Sequence, residues 1–356
     1  MYPNYKTIFL FIFLVINSIR IYGIEPIWNI DLGGVFDNRE GKNTYIRDRT
    51  YFIMTLAPEV GLKFSDSDRI ATGVVWDQPV ENSIKGGHIY PTLYYRHSGD
   101  KIKFSMGLFP MTQLREPLPG FLWNDSLSYF QRNLRGALFQ YQTDKGFIDT
   151  YLDWRGIQSK TKREAFEIVF HGEFNFAKDI LFSGGYAMMN HLAKTDYAGE
   201  EQYVIDNFIL NPYIGVNFLR TAKNHELKLK LGPLLSLERH RGVADWKYPV
   251  GLWMDVDWEW KILGIRNTLY WGSKLFPAYE AFGNELYLGE AFFCSKFYNR
   301  LDILGRLYSN KYMELEAQLN FNFSSEGFIF YQRLLLNVNI GNLQGGKRKR
   351  SIDINN

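Results

Sequence analysis

The feature that most constrains this chain is an alternation with a period of two that hardly ever lapses. In GLWMDVDWEWKIL, residues 251–263, the acids Asp255, Asp257 and Glu259 take every second position, with Leu252, Met254, Val256, Trp258 and Trp260 between them. A helix turns by about 100° per residue and would scatter these acids around its axis. A strand puts them on one face and the apolar groups on the other. Two environments suit such a strand: a soluble sheet with its apolar face inward, or a membrane barrel with that face turned to lipid.

The same pattern recurs along the chain. HELKLKLGPLLSLER (225–239) sets Leu227, Leu229, Leu231, Leu235 and Leu237 against Lys228, Lys230, Ser236 and Glu238. YMELEAQLNFNF (312–323) and AFEIVFHGEFNF (165–176) repeat it, which argues against a mixed fold. Most alternations persist for roughly 9–13 residues, near the 9–11 that a tilted strand needs to cross hydrocarbon and beyond the usual soluble strand. The links alternate in length. Tight ones at 65–69, 98–100, 144–146, 177–179, 221–226, 263–264 and 309–311 lie between longer ones, among them 111–133, 239–249 and 273–296. Tight periplasmic turns opposite longer outer loops are the habit of outer-membrane barrels. Strands counted between these links, from about 26–36 to 328–340, number about 16, with 14 to 18 open. The expected fold class is thus all-β, a transmembrane antiparallel barrel. Aromatic residues near strand ends (Tyr94, Tyr95, Trp258, Trp260, Tyr270, Trp271, Phe321, Phe323, Phe328, Phe330, Tyr331) are expected to form its interfacial girdle.

The amino terminus fits export. Lys6 precedes IFLFIFLVI (8–16), too short to span a bilayer, and the segment 1–23 reads as a cleaved signal peptide. The expected organisation is then a barrel over 24–341 and a basic polar tail over 342–356, solvated more readily than bound to anionic lipid. The single cysteine, Cys294, rules out an intrachain disulfide framework. Net charge is +3, of which KRKR (347–350) carries four positives, so nothing points to nucleic acid.

KFSMGLFP (103–110) followed by a long Pro-containing loop, with YLDWRG (151–156), REAFEIVFHGEF (163–174) and FYNRLDILGRLY (297–308), resembles Gram-negative porin-type barrels, in particular porin-like proteins of the Bacteroidetes group. The resemblance implies an outer-membrane location, contact with lipid and lipopolysaccharide, and compatibility with a homo-oligomer. One departure stands out: such barrels end on an aromatic residue, whereas Ile340 here is followed by the basic tail.

A barrel puts the polar face on the lumen. Candidate lining residues are Lys101, Lys103, Asp149, Asp153, Arg155, Glu167, Lys228, Lys230, Asp255, Asp257, Glu259, Lys261, Arg266, Glu314, Glu316 and Arg333, with Glu173, Arg300 and Asp302 beside them. Folding the loop 239–249 symmetrically sets position 230 opposite about 258, so Lys230 is expected to reach Asp257 or Glu259. Both signs occur, which suits a water-filled pore of modest ion selectivity. The loop 111–133 is oddly apolar for a segment in water. Carrying Arg115, Glu116, Trp123, Asp125 and Arg132, it is expected to fold inward as a constriction or to pack against a rim.

The expected function is a porin-like channel for passive diffusion of small hydrophilic solutes. The alternatives are a closed barrel acting as scaffold of a surface complex, polysaccharide export, and a soluble secreted β-sandwich. The six histidines lack zinc-site spacing and no cofactor or metal is expected. Catalysis is not expected either: His171 and Ser183 fall on neighbouring strands of one predicted hairpin but only roughly opposite each other, a coincidence common among 16 strands.

Overall fold

The computed structural model describes residues 23–82, 86–176, 180–193, 204–218 and 225–343. The predicted signal peptide, apart from Gly23, and the KRKR tail lie outside the described residues. Sixteen antiparallel strands run from β1 (Glu25–Asn43) to β16 (Gly327–Gly341), each bonded to its neighbours in sequence. β1 also pairs with β16, from Asn29 opposite Gly341 to Asn43 opposite Gly327, so the sheet closes. Closure is what lipid demands, because a free edge would strand backbone N–H and C=O groups where no water can reach them. The expected class and the count of 16 strands are both observed.

The alternation sorts the side chains as the sequence implies. Leu252, Ile214, Phe170 and Trp271 stand on the exposed outer wall, whereas Asp153, Glu167, Asp302 and Asn320 are buried toward the lumen. The expected girdle needs correction. Tyr94, Tyr270 and Tyr331 are all but fully buried on the inner face. Neighbouring residues of a strand point to opposite faces, so of Tyr94 and Tyr95, or Tyr270 and Trp271, only one of each pair can meet the membrane.

Short turns close one rim, at 64–67, 144–145, 261–262 and 310–312, and the longer connections stand at the other. Two of those longer connections turn into the barrel. The segment 111–132 buries Leu118, Phe121, Leu122, Trp123 and Tyr129, and the segment 273–296 buries Leu275, Phe276, Leu286, Tyr287, Phe292 and Phe293. Burial accounts for their apolar composition. The first contains the helix α1 (Asp125–Phe130), begun by Asn124, whose side chain accepts the Leu127 N–H at 2.9 Å. The two segments join through Asn124 N–H to Leu288 O at 2.7 Å and Glu290 N–H to Gly120 O at 2.6 Å. Phe121 and Phe293 meet edge to face with centroids 6.1 Å apart. Gly289 sits at this crossing, where a Cβ would lie 2.4 Å from Phe121 O, so no other residue fits.

Candidate functional site

Inside the barrel, most of the predicted lining residues engage the inward segments or one another. Arg115 reaches Asp149 at 3.2 Å, Arg132 reaches Asp77 at 2.8 Å, and Asp125 meets Arg300 at 3.0 Å and also Arg333. Arg39 donates to Ser126 Oγ at 3.0 Å and the Tyr129 hydroxyl donates to Asp37 at 2.7 Å. Trp123 is buried among the apolar residues of the two segments. Elsewhere Arg135 binds Asp153 at 3.1 Å, Arg155 binds Asn190 at 2.6 Å, the Tyr151 hydroxyl donates to Glu167 at 3.0 Å, and Arg306 binds Glu314 at 3.0 Å. Glu316 accepts from Gln318 at 2.7 Å, and Lys103 lies half-buried on the inner face.

The acid row sits beside the lysines in a register different from the one expected. Between β11 (His225–His240) and β12 (Val250–Trp260), Lys230 stands opposite Asp255 and Lys228 opposite Asp257. The loop is not folded symmetrically about its middle, because β11 runs on to His240 while β12 begins only at Val250. Lys230 turns to Glu173 at 3.1 Å and Glu116 at 4.0 Å, and Lys228 reaches Glu173 at 3.3 Å. Asp257 and Glu259 are each 3.5 Å from Arg266, and Asp255 accepts from Thr268 at 2.8 Å. Lys101 and Lys261 do not face the lumen: both are exposed on the short-turn rim, and Lys261 lies over the ring of Trp260, 5.3 Å from its centroid.

A cavity of about 250 Å³ remains on the short-turn side of the inward segments, lined by Glu116, Tyr186, Lys228, Lys230, Trp253 and Asp255 among others. Next to it the ligand atoms of Glu116, His171 and Glu173 lie within 4.8 Å of one another. The two ammonium groups on Glu173 already occupy the place of a cation, and His171 Nε2 is 3.1 Å from the Tyr213 hydroxyl. His171 and Ser183 do not form a pair. His171 is opposite Tyr186 and Ser183 opposite Phe174, a one-residue change that sends the serine to the outer face.

The outer wall carries what sequence reasoning missed. β7 (Gly146–Gly156), β8 (Ala165–Phe176), β9 (Leu181–Leu192), β10 (Ile205–Asn217) and β11 lie side by side. Register lines up Trp154, Phe166, His191, Asp206 and Arg239 across these five strands, close to the long-loop rim. All five point outward, on the same alternation that exposes Phe170, Leu210 and Ile214 below them. Trp154 stacks on Phe166 at 5.3 Å and Phe166 on His191 at 4.9 Å between centroids. His191 Nδ1 is 3.5 Å from Asp206 Oδ1. The same carboxylate takes Arg239 at 3.2 Å and Arg241 at 2.7 and 2.8 Å. Arg239 lies over the ring of Trp246 at 4.7 Å. A carboxylate at Nδ1 orients the imidazole and leaves Nε2 to act as a base, in the manner of other His–Asp pairs. Only one sequence signal pointed here: Asp206 and Arg239 interrupt the apolar face of their strands. The row itself needs the register of five strands.

A closed barrel with an apolar outer belt and a polar, occupied lumen defines a porin-type protein of the outer membrane. The chain belongs to the family described as Lipid A 3'-O-deacylase-type, whose model matches residues 28–343. No curated protein matches it by sequence. Among solved structures it is similar to three barrels of Pseudomonas aeruginosa. OprD aligns with a TM-score of 0.54 at 7% identity, over 89% of this chain and 96% of that one. OpdK, crystallised with vanillate, gives 0.52 at 9% identity over 89% and 98%. OpdF, in complex with glucuronate, gives 0.51 at 8% identity over the same shares. These likenesses establish the fold. The family corrects the expectation that the chain is not an enzyme, because the family is named for the removal of an acyl group. That expectation rested on the lack of a sequence motif, and a site assembled from single residues on separate strands leaves none.

Proposed function

We propose that this outer-membrane barrel hydrolyses an acyl ester of lipid A at the row formed by His191, Asp206, Arg239 and Arg241 on its outer wall. The observation that carries the reading is the placement of a His–Asp pair and two guanidinium groups on the lipid side of the barrel, at the rim of the long loops. That rim faces the outer leaflet in barrels with short periplasmic turns. Lipid A joins phosphates to acyl esters, so one molecule offers anionic groups to the arginines and an ester carbonyl near the histidine. His191 Nε2 takes a proton from water as the water oxygen attacks the carbonyl carbon. The ester C–O bond then breaks, the proton passes to the departing sugar oxygen, and the products are a fatty acid and a free sugar hydroxyl. The exposed Phe170 and Ile214 below offer the apolar wall along which an acyl chain lies.

The test is mass spectrometry of lipid A incubated with the refolded barrel in mixed micelles. Wild type is expected to remove one acyl chain, and His191→Ala to lose about 10²–10⁴-fold in rate, the usual worth of a general base. His97→Ala serves as the control: His97 also meets an aspartate, Asp68 at 2.8 Å, but on the short-turn rim, where Asp68 is bound to Ser65 of its own turn. Lipid A left intact by the wild type would overturn the proposal.

A second reading, passage of small hydrophilic solutes through the lumen, is favoured by the 250 Å³ cavity and its mixed charges. It requires the inward segments to act as a constriction that opens, and single-channel recording decides it. A barrel that folds yet never conducts would leave the lumen as scaffold.

A further inference from the structure

Half a circumference away from the His191 row, at the mouth of the barrel, lies a second cavity of about 240 Å³. Its walls come from β1, β2 (Arg49–Lys63), the connection 44–48 and both inward segments. Three arginines face it: Arg39, Arg47 and Arg49. Arg39 is neutralised by Asp37 at 2.7 Å. Among the described residues no carboxylate comes within ion-pair distance of Arg47 or Arg49. Arg49 instead lies over the Tyr51 ring, 5.5 Å from its centroid, and Arg39 lies over the same ring at 4.9 Å.

The one carboxyl group among the lining residues, Glu290, is buried and accepts the Asp125 N–H at 2.8 Å. Burial, with the Asp125 carboxylate beside it, raises its pKa, so it offsets the arginines less than an ordinary carboxylate would. Like charges gathered in this way call for an anion from outside. The remaining lining is aromatic or amide-bearing. Tyr45 and Tyr279 meet edge to face at 5.8 Å and bridge two loops, with Tyr51, Asn124, Ser126 and Asn284 nearby. Aromatic faces with amide and hydroxyl groups suit the apolar face and the hydroxyls of a sugar ring.

We infer that this vestibule binds a negatively charged monosaccharide, with Arg47 and Arg49 holding its phosphate or carboxylate and the tyrosines its ring. The inference does not depend on the lipid chemistry proposed for the wall, since the two sites share no residue. The anion enters from the long-loop side, reaches the two arginines first, and stops where Ser126 and Asn124 cover the inward segments.

Isothermal titration of the refolded full-length barrel in detergent tests it, with glucose 6-phosphate, glucuronate, glucose and inorganic phosphate as probes. Saturable binding of either charged sugar is expected, weaker binding of phosphate, and none of glucose. The double variant Arg47→Gln/Arg49→Gln should weaken the charged sugar at least tenfold, and Tyr279→Ala should weaken it while leaving phosphate unchanged. Both changes lie on exposed or half-exposed residues, so heat-modifiable gel migration should stay that of the wild type. Glucuronate bound more tightly than glucose 6-phosphate assigns the site to uronates, and the reverse assigns it to sugar phosphates. No saturable binding of either charged sugar, binding of glucose as tight as theirs, or indifference to the double variant would overturn the inference. Inorganic phosphate bound as tightly as the sugars would also overturn it, because the aromatic walls would then play no part.

Discussion

Asp125 shows how one side chain holds a segment inside a barrel. Its carboxylate lies between Arg300 and Arg333 and is almost wholly excluded from water. Burial pushes its pKa up, but the attraction of Arg300, Arg333 and Arg39 outweighs that and holds it below the ordinary carboxylate value. Removing one member of a buried pair leaves the other charge uncompensated, which costs roughly 3–5 kcal/mol. Asp125→Asn is therefore expected to loosen segment 111–132 by about that amount, measured as faster proteolytic cleavage within it under native conditions. Cleavage at the wild-type rate would show that the apolar contacts alone hold the segment. At this scale the sequence exposed the candidates unevenly. Asp125, Arg115 and Arg132 were conspicuous because charges stood out in an apolar loop. His191 was not, because what distinguishes it is Asp206 on the next strand.

At the scale of elements, the junction of the two inward segments carries a pH dependence. Glu290 accepts the Asp125 N–H, and the groups around it include the Asp125 carboxylate, Arg300, Arg39 and the ring hydroxyls of Tyr298 and Tyr331. Burial beside the Asp125 carboxylate raises its pKa in the folded state to about 7. A carboxyl group shifted upward stabilises the folded junction fully below its unfolded pKa, and that contribution is lost as pH rises through the folded pKa. The segments should dock most tightly near pH 4–5 and loosen progressively toward pH 7 and above. Hydrogen exchange of the Asp125 and Phe293 amides against pH reads this out, and Glu290→Gln should flatten the profile. A profile equally steep in that variant would place the titrating group elsewhere. The alternating strands and the order of short and long links were legible in the sequence, since both follow from local pattern. Register was less so: the expected Lys230 partner was three residues off, because loop length alone does not say how far each strand extends before turning.

At the scale of the whole molecule, a closed barrel of 16 strands encloses more space than its own inner side chains fill, and here two of its loops occupy that space. Deleting 115–130 removes the first inward segment with its helix and frees Arg300 and Arg333 to face water, without touching the strand pairings. The deleted barrel is expected to show larger and steadier single-channel conductance in a planar bilayer than the full chain. Equal conductance would mean that segment 273–296 alone, or nothing, limits flow. The outer wall should be indifferent to this deletion, so lipid A hydrolysis in the deleted barrel separates the wall site from the lumen.

The period of two, sustained for the length of a membrane crossing and punctuated by alternating turns, carried the expectation of an all-β outer-membrane barrel with apolar residues outward, and the pairing of β1 with β16 closed it. In lipid no other arrangement of such strands satisfies the backbone, so for a membrane-crossing chain the local pattern was enough to indicate the fold class. What the tertiary structure decided is which residues of distant sequence stand side by side. Trp154, Phe166, His191, Asp206 and Arg239 come from five strands and stand in one row only through cross-strand register. The fate of the apolar loops was decided there too, because an apolar loop can bury itself in a lumen, on a rim or against a partner. Only the shape of the barrel, with Gly289 permitting the crossing at Phe121, selects the lumen.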